Sequence, residues 1–230
     1  MADVALHVSD DPAAAVAQVL AEQARHGGSI VLTGGRTPGS AYSGAARLEP
    51  DWSRVSLWWG DERCVPPDHE HSNFRLAQET LLDALAAQPD VHRIRGELQP
   101  ADAAGEYDKE LDGIALDLVL LGLGPDGHVA SLFPASPQLL VDDRRVTSGS
   151  ASLEPLVERV TLTLPALLAA RRIVFLVSGA DKADAVARAF RRPITADVPA
   201  GLLRRGDVPI AVYLDEPAAA RLDSSPPVGL

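Results

Sequence analysis

Short β-branched and aliphatic runs alternate along the chain with longer Ala- and Leu-rich segments of helical period. That rhythm signals βαβ units and a mostly parallel sheet. Strands are predicted at Ser29–Thr33, Arg54–Trp59, Leu116–Leu123, Arg172–Ser178 and Val208–Asp215. Helices are predicted at Pro12–His26, Pro38–Arg47, Asn73–Ala87, Ala101–Asp112, Ala180–Phe190 and Pro217–Leu222. The runs Leu118–Leu121 and Ile173–Val177 are apolar without alternation, as strands covered on both faces should be, which makes them central. The expected fold is α/β, with one open, mostly parallel, Rossmann-like sheet flanked by helices on both faces. No fixed-period repeat or Ser/Gly-rich linker divides the chain, so residues 1–223 read as one domain. Ala135–Glu158 fits neither period and is expected to carry a small extra hairpin or lobe. Residues 224–230 read as a flexible tail.

Composition narrows the partners. An apolar fraction of 46% over 230 residues is that of an ordinary globule with a sizeable core. The formal charge of -11 repels polyanions, which argues against nucleic-acid and anionic-membrane partners and requires any anionic ligand to be held by local positive charge. Met1–Asp10 has neither a basic nor a continuous apolar stretch, and no later apolar run reaches the ~20 residues that span a bilayer. A cytoplasmic protein is expected. The single cysteine, Cys64, forms no internal disulfide and reads as a structural thiol.

Ligands of open parallel sheets collect outside the carboxyl ends of the strands. After the first predicted strand, Thr33-Gly34-Gly35-Arg36-Thr37-Pro38 runs straight into a helix. Two glycines let the backbone approach an anion, Thr37 can cap, and Pro38 suits the first helical position. A tight turn with no ligand fits the same residues, but Arg36 favours an anion. After Trp58-Trp59 comes the charged triplet Asp61-Glu62-Arg63, either a structural ion pair or charges that are used. Asp68-His69-Glu70-His71 does not place both imidazoles on one helical face and reads as a solvated loop, not a metal site. Leu121-Gly122-Leu123-Gly124-Pro125-Asp126-Gly127-His128 contains G-x-G-x-x-G. A dinucleotide fingerprint would open a helix there, whereas Pro134 leaves Val129–Phe133 barely more than one turn. The better reading is a turn, built on Gly124 and Gly127, that lifts His128 into a cleft beside Asp126. A histidine there can take a proton from water. Arg159, and Lys182 at a helix start, are further cations that something negative would explain.

Together these segments resemble the 6-phosphogluconolactonase family, part of a larger group that includes glucosamine-6-phosphate deaminases. The matching stretches are Thr33–Pro38, Trp58–Pro66, Ser72–Ala77, Leu121–Pro134, Arg159–Leu167 and Ser178–Val186, in order along nearly the whole chain. The block ending Ala130-Ser131-Leu132-Phe133-Pro134 is the most specific, and Val198–Leu203 matches only loosely. The resemblance implies hydrolysis of the 1,5-lactone of 6-phosphogluconate in the oxidative pentose phosphate pathway, with no metal or organic cofactor and a sugar-phosphate lactone as the small-molecule partner. It implies His128 as general base, with Asp126, Asp61 or Glu62 orienting it or the water. Gly34, Gly35, Arg36, Thr37, Gly124, Gly127 and Lys182 are the expected substrate contacts. Arg63 and Arg159 suit either phosphate or oxyanion. A deaminase-like isomerase and a non-catalytic sugar-phosphate sensor are the rival readings.

Overall fold

The computed structural model describes residues 2–222, so the expected tail at 224–230 lies outside the described residues. Its strands are β1 (Val4–Val8), β2 (Gly28–Leu32), β3 (Val55–Trp59), β4 (Asp61–Arg63), β5 (Asp90–Val91), β6 (Leu118–Leu121), β7 (Val146–Gly149), β8 (Arg159–Leu162), β9 (Ile173–Val177) and β10 (Ile210–Leu214). The α-helices are α1 (Pro12–His26), α2 (Arg36–Leu48), α3 (Asn73–Thr80), α4 (Pro100–Glu110), α5 (Leu164–Leu168), α6 (Ala183–Phe190), α7 (Pro199–Leu202) and α8 (Glu216–Ala219). Seven strands form one parallel sheet in the order β1-β10-β9-β6-β2-β3-β5. A smaller antiparallel sheet has the order β4-β8-β7.

The order explains where a site can form. From β2 the chain moves outward through β3 and β5, then returns to the other side of β2 and moves the opposite way through β6, β9 and β10. The loops leaving β2 and β6 therefore diverge over a topological switch point, where such sheets leave a crevice. β6 and β9 are buried along their whole length, as their unbroken apolar runs require. Two buried tyrosines fix the strand ends beside the crevice. The Tyr42 hydroxyl donates to Thr33 O (2.6 Å) and accepts from Thr33 N (2.9 Å). Tyr107 makes the same clamp on Trp59, at 3.1 and 2.7 Å. Burial, ahead of any other influence, raises the pKa of both hydroxyls, which keeps their protons on.

The five predicted strands form as β2, β3, β6, β9 and β10. Several boundaries differ from expectation. β1 is not among the predicted strands; it is a partly exposed edge strand whose one partner, β10, lies near the other end of the chain. β4 is a charged triplet that becomes a strand only by pairing with β8. Ala135–Glu158 supplies a 3-10 turn at Pro137–Leu140 and β7, whose partner is β8. The helix expected from Pro38 begins at Arg36 with Gly35 as its N-cap, and the one expected from Ala180 opens with a 3-10 turn, Ala180–Lys182, before α6. The helix expected through Ala87 stops at Thr80, where Leu81 turns the chain into a short 3-10 segment.

Candidate active site

A cleft of about 590 Å³ opens at the switch point and is lined by Thr33–Pro38, Asp61, Arg63, Asn73, Gly122–Pro125, His128, Ala130, Leu153, Glu154, Leu176–Ser178, Asp181 and Lys182. The β2 loop forms one wall. Gly35 sits at φ +111°, open to glycine and costly for other residues, and turns the chain so that the first N–H groups of α2 face outward. No side chain caps that helix end, so Thr37 does not play the capping role expected of it. An uncapped N-terminus with Arg36 in its first turn is a ready anion cradle. Lys182 lines the same cleft, with its Nζ 3.6 Å from Asp181 Oδ2. It precedes α6 rather than lying in its first turn, because Gly179–Lys182 form a separate turn held by Asp215, which accepts from Gly179 N at 3.0 and 3.1 Å.

The second wall is the turn at the end of β6, of which Gly122–Pro125 and His128 line the cleft while Asp126 and the expected contact Gly127 do not. The turn closes through hydrogen bonds from Gly127 N to Gly124 O and from Gly124 N to His128 O, both 3.0 Å. Asp126 Oδ1 lies 2.7 Å from His128 Nδ1 and accepts from His128 N at 3.1 Å. A Cβ on Gly124 would fall 2.0 Å from that Nδ1, so only glycine lets the dyad pack down on its own loop. Burial of Asp126 opposes its charge, but the hydrogen bond and charge of His128 outweigh that and hold its carboxyl below the usual range. An ionised Asp126 fixes the Nδ1–H tautomer, which leaves Nε2 as the proton acceptor of a ring that lines the cleft. Behind the turn, Ala200 N donates to Gly127 O (3.0 Å). The loosely matching Val198–Leu203 stretch thus buttresses the dyad and does not line the cleft.

The charged triplet divides by role. Asp61, 6% exposed, lines the cleft, accepts from Ser131 Oγ at 2.6 Å, and faces the Asn73 amide at 3.3 Å. Arg63 also lines the cleft, and its buried Nε has no partner among the described residues. Glu62 corrects the expectation of a catalytic acid. It is 3% exposed, does not line the cleft, and accepts from the backbone N–H groups of Arg63 (2.7 Å), Asn73 (2.7 Å) and Phe74 (2.8 Å) and from Ser72 Oγ (3.1 Å). Burial pushes its carboxyl upward against the pull of those backbone donors. Its work is to seat the head of α3. We expect Glu62→Gln, which turns an amide donor toward some of these N–H groups, to destabilise the fold by about 2–4 kcal/mol in urea denaturation. An unchanged urea midpoint would mean that the four contacts are dispensable.

Arg159 is a further correction, since it does not line the cleft. It lies opposite Arg63 in the β4–β8 register. Burial first, and then the charge of Arg63, lower its pKa, and its Nη1 is buried without a partner among the described residues. Its Nη2 donates to Pro155 O (2.8 Å), so it ties the β7–β8 connection to the small sheet. The sequence reading missed Asn73, whose Nδ2 donates to Asp61 O at 2.9 Å and whose Oδ1 would meet a Cβ on Gly34 at 2.0 Å. It joins the cradle to the charged triplet. The Ser72-Asn73 pair at a helix start is a capping signature that marks the position locally. No local signal marks Ser131, whose partner is 70 residues away. Cys64 is half-buried, and burial, then the charge of Glu158, push its thiol up to about 11. Among the described residues no group of three or more His, Cys, Asp or Glu side chains is placed to share a metal, and no helix is long and apolar enough to cross a membrane.

The chain is 39% identical over 225 residues to a 6-phosphogluconolactonase of Streptomyces coelicolor, covering 89% of this chain and 86% of the relative. It is 38% identical over 219 residues to that of Mycobacterium tuberculosis, covering 85% of each. The crystal structure of 6-phosphogluconolactonase from Thermotoga maritima superposes with a TM-score of 0.80 at 29% identity, covering 93% of this chain and all of that one. A monomeric glucosamine-6-phosphate deaminase superposes at 0.84 but at 20% identity over 96% of this chain and 99% of that one, which speaks for the fold alone. The model of the family described as glucosamine-6-phosphate isomerases/6-phosphogluconolactonase matches residues 1–211, and the chain belongs to that family.

Proposed function

We propose that the protein hydrolyses 6-phospho-D-glucono-1,5-lactone to 6-phosphogluconate, the lactone-opening step of the oxidative pentose phosphate pathway. The observation that carries this is His128, held by Asp126, lining one cleft with an uncapped helix N-terminus and Lys182. The cradle, Gly34 to Thr37 with Lys182, holds the phosphate. His128 Nε2 takes a proton from water as the water oxygen bonds to C1. Arg63, whose side chain lines the cleft, stabilises the oxyanion that forms on the carbonyl oxygen. The intermediate collapses by breaking the C1–O5 bond, and the imidazolium returns its proton to O5. Asp126 holds the ring and stabilises its charged form, and Asp61 fixes the floor through Ser131 and Asn73. A cytoplasmic location goes with that pathway and belongs to the same proposal.

The test is to mix purified protein with freshly generated 6-phosphogluconolactone and follow acid release against spontaneous opening. A rate no faster than background would remove the reading, and ammonia released from glucosamine-6-phosphate would favour deaminase chemistry instead. A lactone is an activated ester that a base and oxyanion donors suffice to open, so activity is expected to survive exhaustive dialysis against EDTA. Loss that a divalent ion restores would require a metal in the mechanism.

A further inference from the structure

The connection between β7 and β8 brings Leu153 and Glu154 to the wall of the cleft. Hydrogen bonds at its base set their position. Ser150 Oγ donates to Glu158 Oε1 (2.8 Å), Cys64 N to Glu158 O (2.9 Å), and Arg159 Nη2 to Pro155 O (2.8 Å). Three acids line the cleft: Asp61, Glu154 and Asp181. The first is engaged by Ser131 and Asn73, and Asp181 sits beside Lys182. Glu154 differs. Its Oε2 accepts only from Leu156 N (3.1 Å), which leaves Oε1 without a protein donor among the described residues.

A carboxylate is a poor choice in a cleft for a phosphate ester unless it meets donors. A phosphorylated sugar lactone supplies them, because its ring hydroxyls are donors that arginine and lysine, having no acceptor, cannot satisfy. We propose that Glu154 reads the ring hydroxyls, accepting a hydrogen bond at Oε1, while Leu153 covers the adjoining apolar face of the ring. Glu154 thereby sets which phosphorylated lactone is taken. This rests on the lactonase reading above.

The experiment compares the parent, Glu154→Gln and Glu154→Ala on 6-phosphogluconolactone and on 6-phospholactones lacking the C2, C3 or C4 hydroxyl. In the parent, removal of the hydroxyl that Glu154 meets should lower kcat/KM by about tenfold or more. In Glu154→Ala the full lactone should fall by a similar factor and that deoxy lactone should not, so the preference collapses. Glu154→Gln, which keeps one carbonyl oxygen, should retain part of it. Inhibition by inorganic phosphate should be the same in all three proteins, because the cradle is untouched. Uniform scaling of every lactone, or no change in any, overturns the proposal. A parent that opens no lactone faster than background sinks the lactonase reading and this one with it.

Discussion

His128→Asn is expected to lower kcat by ~10²–10⁴-fold while leaving KM nearly unchanged. In the proposed mechanism the imidazole is needed only as the barrier is crossed, when Nε2 accepts the water proton, whereas the proposed phosphate cradle lies on a different loop. Asp126→Asn keeps a side chain of the same shape but loses the charge that fixes the tautomer, so it too should act on kcat rather than KM. Steady-state rates corrected for spontaneous opening decide the matter. Near-parent turnover in His128→Asn would make that residue structural and move the search for a base to Asp61, the acid of the charged triplet that lines the cleft.

Unphosphorylated glucono-1,5-lactone should be a poorer substrate by on the order of 10³-fold in kcat/KM, because two or three charge-assisted hydrogen bonds to the phosphate are lost together. Lys182→Ala removes one of them. That contact exists in ground state and transition state alike, so KM for the phosphorylated lactone should rise about tenfold with kcat close to the parent value. The variant should scarcely affect the unphosphorylated lactone, which never used the contact. Equal efficiency on the two lactones would show that the Gly34–Thr37 loop is an ordinary turn and that the phosphate is held elsewhere or not at all.

These assignments were legible in the sequence to different depths. The fold class followed from local pattern, since β6 and β9 announce themselves by apolar runs that only a doubly covered strand tolerates. The Asp126–His128 pair was also legible, because partners two residues apart are fixed by the turn that carries them. The roles within Asp61-Glu62-Arg63 were not. Alternation in a strand sends neighbouring side chains to opposite faces, and only the packing of α3 and β8 decides that Glu62 faces a helix end while Asp61 and Arg63 face the cleft.

By itself the chain determined the parallel sheet, the glycine turns, the dyad and the need for local positive charge in an acidic protein. Each of these depends on residues close together in sequence or on sums over all of them. The tertiary structure alone decided that the loops after β2 and β6 diverge over a switch point, that Arg159 backs Arg63 instead of lining the cleft, that Asn73 and Glu154 reach the cleft, and that Ser131 reaches Asp61. Those facts rest on strand order and on contacts between distant segments, which local pattern does not encode.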